Sequence, residues 1–149
     1  MFLQETTTSH LVRSEDLNHH GTLFAGKMAM WFLEGGLIAS SRLIGRPHDI
    51  VCINLHGITF KKPSNIGDIL EVRAKIALLG KRSIMVHIRI FKNEEIVPHI
   101  SGVATFVTVD KHGKAYEHGL KLPLEYVTEN MAIYEVALKI KEFELSSSS

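Results

Sequence analysis

The feature that most constrains this chain is a run from about residue 23 to 43 that is apolar on almost every side. It follows a polar turn, Glu15-Asp16-Leu17-Asn18-His19-His20-Gly21-Thr22, and opens on Leu23-Phe24-Ala25-Gly26-Lys27. A helix without a polar face has to be buried. Gly45 and Pro47 follow its last turn as a stop signal should. Gly35 and Gly36 each cost about 1 kcal/mol against Ala in a helix interior. They therefore predict close approach of the helix to a sheet, a partner helix or a ligand. Yet the run also carries Lys27 and Glu34. A carboxylate taken out of water finds a partner or neutralises. Glu34, close behind an Asn and the free donors of a helix start, has the ingredients of a catalytic site. A structural carboxylate held by an ion pair or a cap fits the same spacing.

The flanking residues supply what buries the helix. Residues about 3–12, rich in Thr with Leu and Val, read as a first strand. Four more follow the helix, at about 50–60, 67–78, 82–92 and 99–109. In one, Ile84, Val86, Ile88 and Ile90 alternate with Ser83, Met85, His87 and Arg89, the period of a strand with one buried face. In the strand before it, Leu70, Val72, Ala74, Ile76 and Leu78 alternate with Glu71, Arg73 and Lys75. Short turns at Gly80-Lys81 and Asn93-Glu94-Glu95 imply antiparallel hairpins. Thr128 to Leu145 reads as a second helix, with Met131, Tyr134, Ala137 and Leu138 at helical spacing. The expected class is α+β, an antiparallel sheet wrapped around a central helix with a C-terminal helix added. Residues 1–120 form the domain, 121–145 a helical extension and 146–149 a disordered tail.

A formal net charge of +1 over 149 residues announces neither nucleic acid nor an anionic membrane as partner. Cys52 is alone within an apolar run, which predicts a buried thiol and a reducing compartment. The N-terminus lacks the basic start and apolar core of a signal peptide, and no apolar run approaches the ~20 residues of a membrane span. A cytoplasmic location is expected. Of the nine histidines only His19 and His20 are close. Neighbours on a turn do not converge on one ion as an i, i+4 helical pair does, so no metal is expected. Gly21 to Gly26 is not a phosphate loop either, because no Gly-Lys-Ser/Thr follows.

Several segments, in order, are similar to the hotdog-fold acyl-CoA thioesterases, the group of bacterial acyl-CoA hydrolases and cytosolic long-chain enzymes. They are Asn18 with Gly21-Thr22 and Ala25-Gly26-Lys27, then Gly57-Ile58-Thr59-Phe60-Lys61-Lys62-Pro63 with Gly67-Asp68. Gly80-Lys81-Arg82-Ser83 comes next, and Ala104-Thr105-Phe106-Val107-Thr108-Val109-Asp110 with Gly113 closes the series. The likeness covers about residues 8–118. It implies a hotdog fold, hydrolysis of acyl-CoA thioesters and a homo-oligomer, a dimer at least and a trimer of dimers by analogy. It also implies that the Gly80–Ser83 turn cradles coenzyme A across a subunit interface, with Lys61 and Lys62 as further cations. Two positions depart from the pattern. Ala25 stands where the family has Gly. The family acid lies fifteen residues after the Asn, which here is Leu33, and the carboxylate follows one position later at Glu34, about 100° further round the helix.

Thioester hydrolysis places negative charge on a carbonyl oxygen, so donors must be aimed there. Backbone N–H groups around Ala25, Gly26 and Lys27 are expected to supply them. A carboxylate then activates water or attacks directly, and an Asn amide orients that water. Asn18 and, by elimination on the central helix, Glu34 are the expected catalytic residues. Coenzyme A enters as part of the substrate and no other cofactor is needed. The loss of the acid at Leu33 keeps open a catalytically impaired module that binds CoA thioesters. A hydroxyacyl-thioester dehydratase would need a His-Phe-Pro-type segment, and His20 is followed by Gly21-Thr22.

Overall fold

In the computed structural model, which describes residues 1–147, five strands form one sheet: β1 (Thr6–Leu11), β2 (Ile50–Phe60), β3 (Ile69–Leu79), β4 (Ser83–Lys92) and β5 (Ile100–Thr108). Their order in space is β1-β3-β4-β5-β2, and every neighbouring pair is antiparallel. The long helix α1 (Ala25–Ile44) lies across one face, giving the hotdog arrangement. It ends at Gly45, whose left-handed backbone (φ 77°) lets its N–H close back on the Ser41 carbonyl at 2.7 Å.

The two glycines in α1 are explained by the sheet. A Cβ on Gly35 would stand 2.7 Å from Val72 Cγ1 on β3, and one on Gly36 would stand 2.8 Å from Ile88 Cδ1 and 2.9 Å from the Phe106 ring. Val72, Ala74, Ile76, Ile84, Val86, Ile88 and Ile90 all join the core beneath the helix, as their alternation predicts.

Leu78 does not follow its alternation. The register of β3 against β4 shifts between Ile76 and Leu78, and a bulge there turns Leu78 to the opposite face. On that face Ala77, Leu78, Met85 and Val103 form a second core under the C-terminal helix, with Ala137 at its centre. So Met85, expected on the open side of its strand, is also buried.

The C-terminal helix is two pieces, α2 (Leu124–Glu129) and α3 (Met131–Ser147), separated at Asn130. Neither the start expected at Thr128 nor an unbroken helix is found. Ser146 and Ser147 continue α3, which corrects the expected tail, while Ser148 and Ser149 lie outside the described residues.

The sheet also leaves α1 partly uncovered. Met30, Glu34 and Leu37, at i, i+4 and i+7, form a strip open to solvent on the side away from the strands. Complete burial of the helix within one chain is therefore corrected. A single sheet covers one side of a helix, and the strip is what remains. Beside it runs the edge strand β2, whose Val51, Ile53, Leu55 and Phe60 are exposed as well. Cys52 on the same strand is half-buried rather than buried, and partial burial raises its thiol pKa.

Candidate functional site

The turn before α1 is built by Asn18. Its Oδ1 accepts the backbone N–H groups of His20 (2.8 Å) and Thr22 (3.2 Å), while Nδ2 donates to the Thr22 hydroxyl (3.0 Å). The Asn18 backbone N–H closes the same turn on the Thr22 carbonyl at 2.7 Å. The side chain expected to orient water is thus committed to holding the loop. Through Thr22 and Leu23 that loop is pinned to residues 64 and 65: Leu23 N–H donates to the Ser64 carbonyl at 2.8 Å. Ser64 is in turn fixed from below, its hydroxyl 3.1 Å from His99 Nδ1, with His99 Nε2 3.1 Å from Glu95. Ser64 and His99 are 1% and 2% exposed, so this pair acts as a strut beneath the loop.

At the start of α1 no side chain caps the helix. Ala25 and Gly26 keep free backbone N–H groups, as expected. Lys27 does not, because its N–H donates to the Phe24 carbonyl at 3.0 Å. Of the three backbone donors expected at the helix start, two therefore remain free among the described residues. The Lys27 ammonium turns back instead to Asp16 Oδ1 at 3.4 Å. Asp16 is a buried carboxylate that the expected site did not include. The Arg13 backbone N–H on Oδ2 (2.9 Å) and the Lys27 charge hold its pKa below the ordinary value against the opposing effect of burial. Its only sequence signal is position, three residues after Arg13 in the turn that leads into the helix. Ala25 and the segment Lys61-Lys62-Pro63 line one small cleft of about 150 Å³, so these two predicted elements do come together.

Glu34 is half-exposed, with His10 Nε2 of β1 3.8 Å away. His10 stacks on Trp31 of α1, centroids 4.5 Å apart, and burial lowers its pKa. Contacts around the helix fix where positions 33 and 34 face. Trp31 meets β1, Gly35 meets β3 and Gly36 meets β4 and β5. Continuing in that sense, Leu33 leans toward the β2 side and packs on the core, whereas Glu34 leans back toward β1. Glu34 thus stands on the open strip at its β1 side, and Leu33 borders the strip from the β2 side. Nine residues separate Ala25 from Glu34, about 13 Å along the axis at ~1.5 Å per residue. One chain does not place its own donors and this carboxylate on the same carbonyl group.

The Gly80-Lys81-Arg82-Ser83 turn lies at the other end of the sheet. β3 runs the full distance between it and the Gly67-Asp68 turn that joins the helix start, about 33 Å at ~3.3 Å per residue. Lys81 and Arg82 are exposed, and Arg82 sits 4.0 Å from Glu117. Among the described residues no three His, Cys, Asp or Glu side chains gather so as to hold a metal ion.

The model of the thioesterase superfamily matches residues 20–99, more than half of the chain. The chain belongs to the thioesterase superfamily. Within it, the chain is 30% identical over 99 residues to an uncharacterised acyl-CoA thioester hydrolase of Zymomonas mobilis, covering 63% of this chain and 64% of that one. The match thus spans slightly under two thirds of that relative. An acyl-CoA hydrolase of Staphylococcus aureus, solved with butyryl coenzyme A and coenzyme A, superposes with a TM-score of 0.81 at 24% identity, over 97% of this chain and 85% of that one. A hexameric thioesterase of Yersinia pestis superposes with a TM-score of 0.70 at 25% identity, over 78% and 94%. These confirm the hotdog fold of a member of that superfamily.

Proposed function

We propose that this chain hydrolyses acyl-CoA thioesters to free acid and CoA, working in the cytoplasm as a homo-oligomer. The observation that carries this is the helix start. Two free amides, at Ala25 and Gly26, point out of a turn held rigid by Asn18, beside Lys61 and Lys62. Such amides at the positive end of a helix stabilise the oxyanion that forms when a thioester carbonyl is attacked. The relatives above, by name acyl-CoA hydrolases, support the substrate class.

A second copy seated on the open strip supplies what one chain lacks. The strip of Met30 and Leu37 with the bare β2 edge is apolar surface of the kind that marks an interface. Glu34 lies on that strip, so assembly brings the carboxylate of one subunit toward the helix start of another. It acts there as the base toward water, and Asn18 positions the donors. The smallest competent unit is then a dimer, and we assign a trimer of dimers from the hexameric relative. Water is the only co-reactant and CoA the only leaving group, so no further cofactor is called for.

The test is thiol release from a panel of acyl-CoAs. Wild type should release thiol, and Glu34→Gln should abolish nearly all of it while CoA affinity is kept, because the amide preserves shape and loses basicity. Asn18→Ala should cost roughly 10²-fold, the scale of one positioned donor. If Glu34→Gln is silent and Leu33→Asp raises activity steeply, Glu34 is not the base. A wild type that binds CoA without releasing thiol would make the chain a binding module.

A further inference from the structure

Glu34 has one polar neighbour among the described residues, and it is His10. That imidazole is fixed by two contacts. Its ring lies flat against the Trp31 indole, with centroids 4.5 Å apart and planes inclined by 9°. Its backbone belongs to β1 and pairs with Leu70 of β3, so neither ring nor strand is free to drift. Trp31 is itself buried in the core. The ring therefore presents Nε2 to Glu34 from a set position.

Nε2 is the informative atom. It is buried and has no hydrogen-bond partner. Glu34 Oε1 stands 3.8 Å away, just past hydrogen-bond reach. A buried N–H without an acceptor is costly, and this one faces a carboxylate. Rotation about the side-chain bonds of the half-exposed Glu34 closes the gap, whereas the stacked ring stays where it is. Lys27, two turns earlier on the same side of the helix, does not compete, because it is engaged with Asp16 at 3.4 Å. The charge state suits a positioning group. Burial lowers the His10 pKa, against the opposing charges of Glu34 and Asp16 and with that of Lys27. The ring is therefore neutral at pH 7, and the carboxylate favours the tautomer with its proton on Nε2. A neutral donor orients a carboxylate without the full positive charge that would weaken it as a base.

We propose that His10 is the positioning residue of Glu34, its Nε2–H holding one carboxylate oxygen so that the other is presented to the attacking water. The inference rests on the hydrolytic reading above, in which Glu34 is the base. It gives β1 a part in the reaction that none of the segments similar to the family contains.

The experiment compares His10→Phe and His10→Gln in the full chain. Phe keeps a ring on Trp31 and removes the N–H, while Gln keeps an N–H at nearly the same reach and gives up the ring. In thiol release from an acyl-CoA that wild type hydrolyses, His10→Phe should lower kcat by about 10–100-fold at unchanged KM, the scale of a reacting group out of place. His10→Gln should restore most of that loss. Ser9→Ala, at the neighbouring exposed position of the same strand, should leave both constants at wild type. Unchanged kcat in His10→Phe overturns the proposal, and so does a Gln variant as slow as the Phe one. A silent Glu34→Gln overturns it too, while leaving hydrolysis itself in place. The second readout needs no activity: the pH titration of the His10 ring followed by NMR. Its midpoint should fall in Glu34→Gln, because the carboxylate that favours the charged ring is gone. If wild type releases no thiol from any substrate, the hydrolytic reading fails, and this titration alone decides the pairing. It decides likewise if neither His10 variant folds. A lower midpoint upholds the proposal, and an unmoved one overturns it.

Discussion

Replacing Gly36 by Ala tests whether the central helix is pressed against the sheet as tightly as its glycines suggest. On propensity alone the change stabilises a helix interior by about 1 kcal/mol. Against that, the new methyl would stand 2.8 Å from Ile88 Cδ1 and 2.9 Å from the Phe106 ring. Ordinary carbon contacts are about 3.5–4.0 Å, so the helix or both neighbours must move by most of an ångström. Ile88 and Phe106 are fully buried in a close-packed core and have no free space to take. Overpacking of this kind costs about 1–3 kcal/mol, and two rigid neighbours place it near the upper end. The net expectation is a loss of about 2 kcal/mol. With an unfolding entropy of about 2.1 cal/mol/K per residue, a chain of this length loses about 6 °C in Tm. Thermal scans at one fixed protein concentration measure it, so that subunit association does not enter the difference. Gly26→Ala is the control. Its Cβ meets only the Phe24 ring, which is exposed and free to swing, so the variant should melt close to wild type. A Gly36→Ala protein as stable as wild type would refute the reasoning. It would mean that propensity outweighs packing, and that the helix stands off the sheet.

Two further outcomes concern ionisable groups whose pKa values folding lowers. Asp16→Asn should destabilise the protein at neutral pH by about 1–3 kcal/mol, since it removes the charge that Lys27 faces inside the structure. Because folding lowers the Asp16 pKa, its contribution is complete above the ordinary aspartate value of about 3.9 and fades as pH falls through the lower folded value. Chemical denaturation between pH 2 and 7 should show this acid-side slope in wild type, and a shallower one in Asp16→Asn. His87, on the outer face beneath α3, is driven down to about 4 by burial and then by Arg89. The unfolded chain binds the extra proton first, so stability should fall as pH drops from about 6.5 to 4, and His87→Gln should flatten that interval.

The elements were legible in the sequence because periodicity is a local property. Alternation at Ile84 to Ile90 and the apolar run of α1 located a strand and a helix, and Gly45-Arg46-Pro47 located the helix end. The family segments located the turn of Asn18, the helix start and the Gly80–Ser83 turn. Leu78 was misread because a bulge is set by how two strands pair, and alternation within one strand carries no record of that. Asp16 was missed for a related reason: its burial depends on Lys27 and on the Arg13 backbone N–H closing around it.

What the sequence by itself determined is therefore the list of elements, the fold class and the residues at each turn. Only the tertiary structure decided which of those residues share a site. It put Ala25 beside Lys61 and Lys62, set the Gly80–Ser83 turn at the far end of the sheet, and brought Lys141 to it from a helix sixty residues later in the chain. It also turned Glu34 toward β1 and Leu33 toward β2, and left a strip of the helix bare. The physical reason is range. Propensity and periodicity act over a few residues, whereas a site is made where packing brings distant segments together, and a helix covered by one sheet always keeps a side for something else.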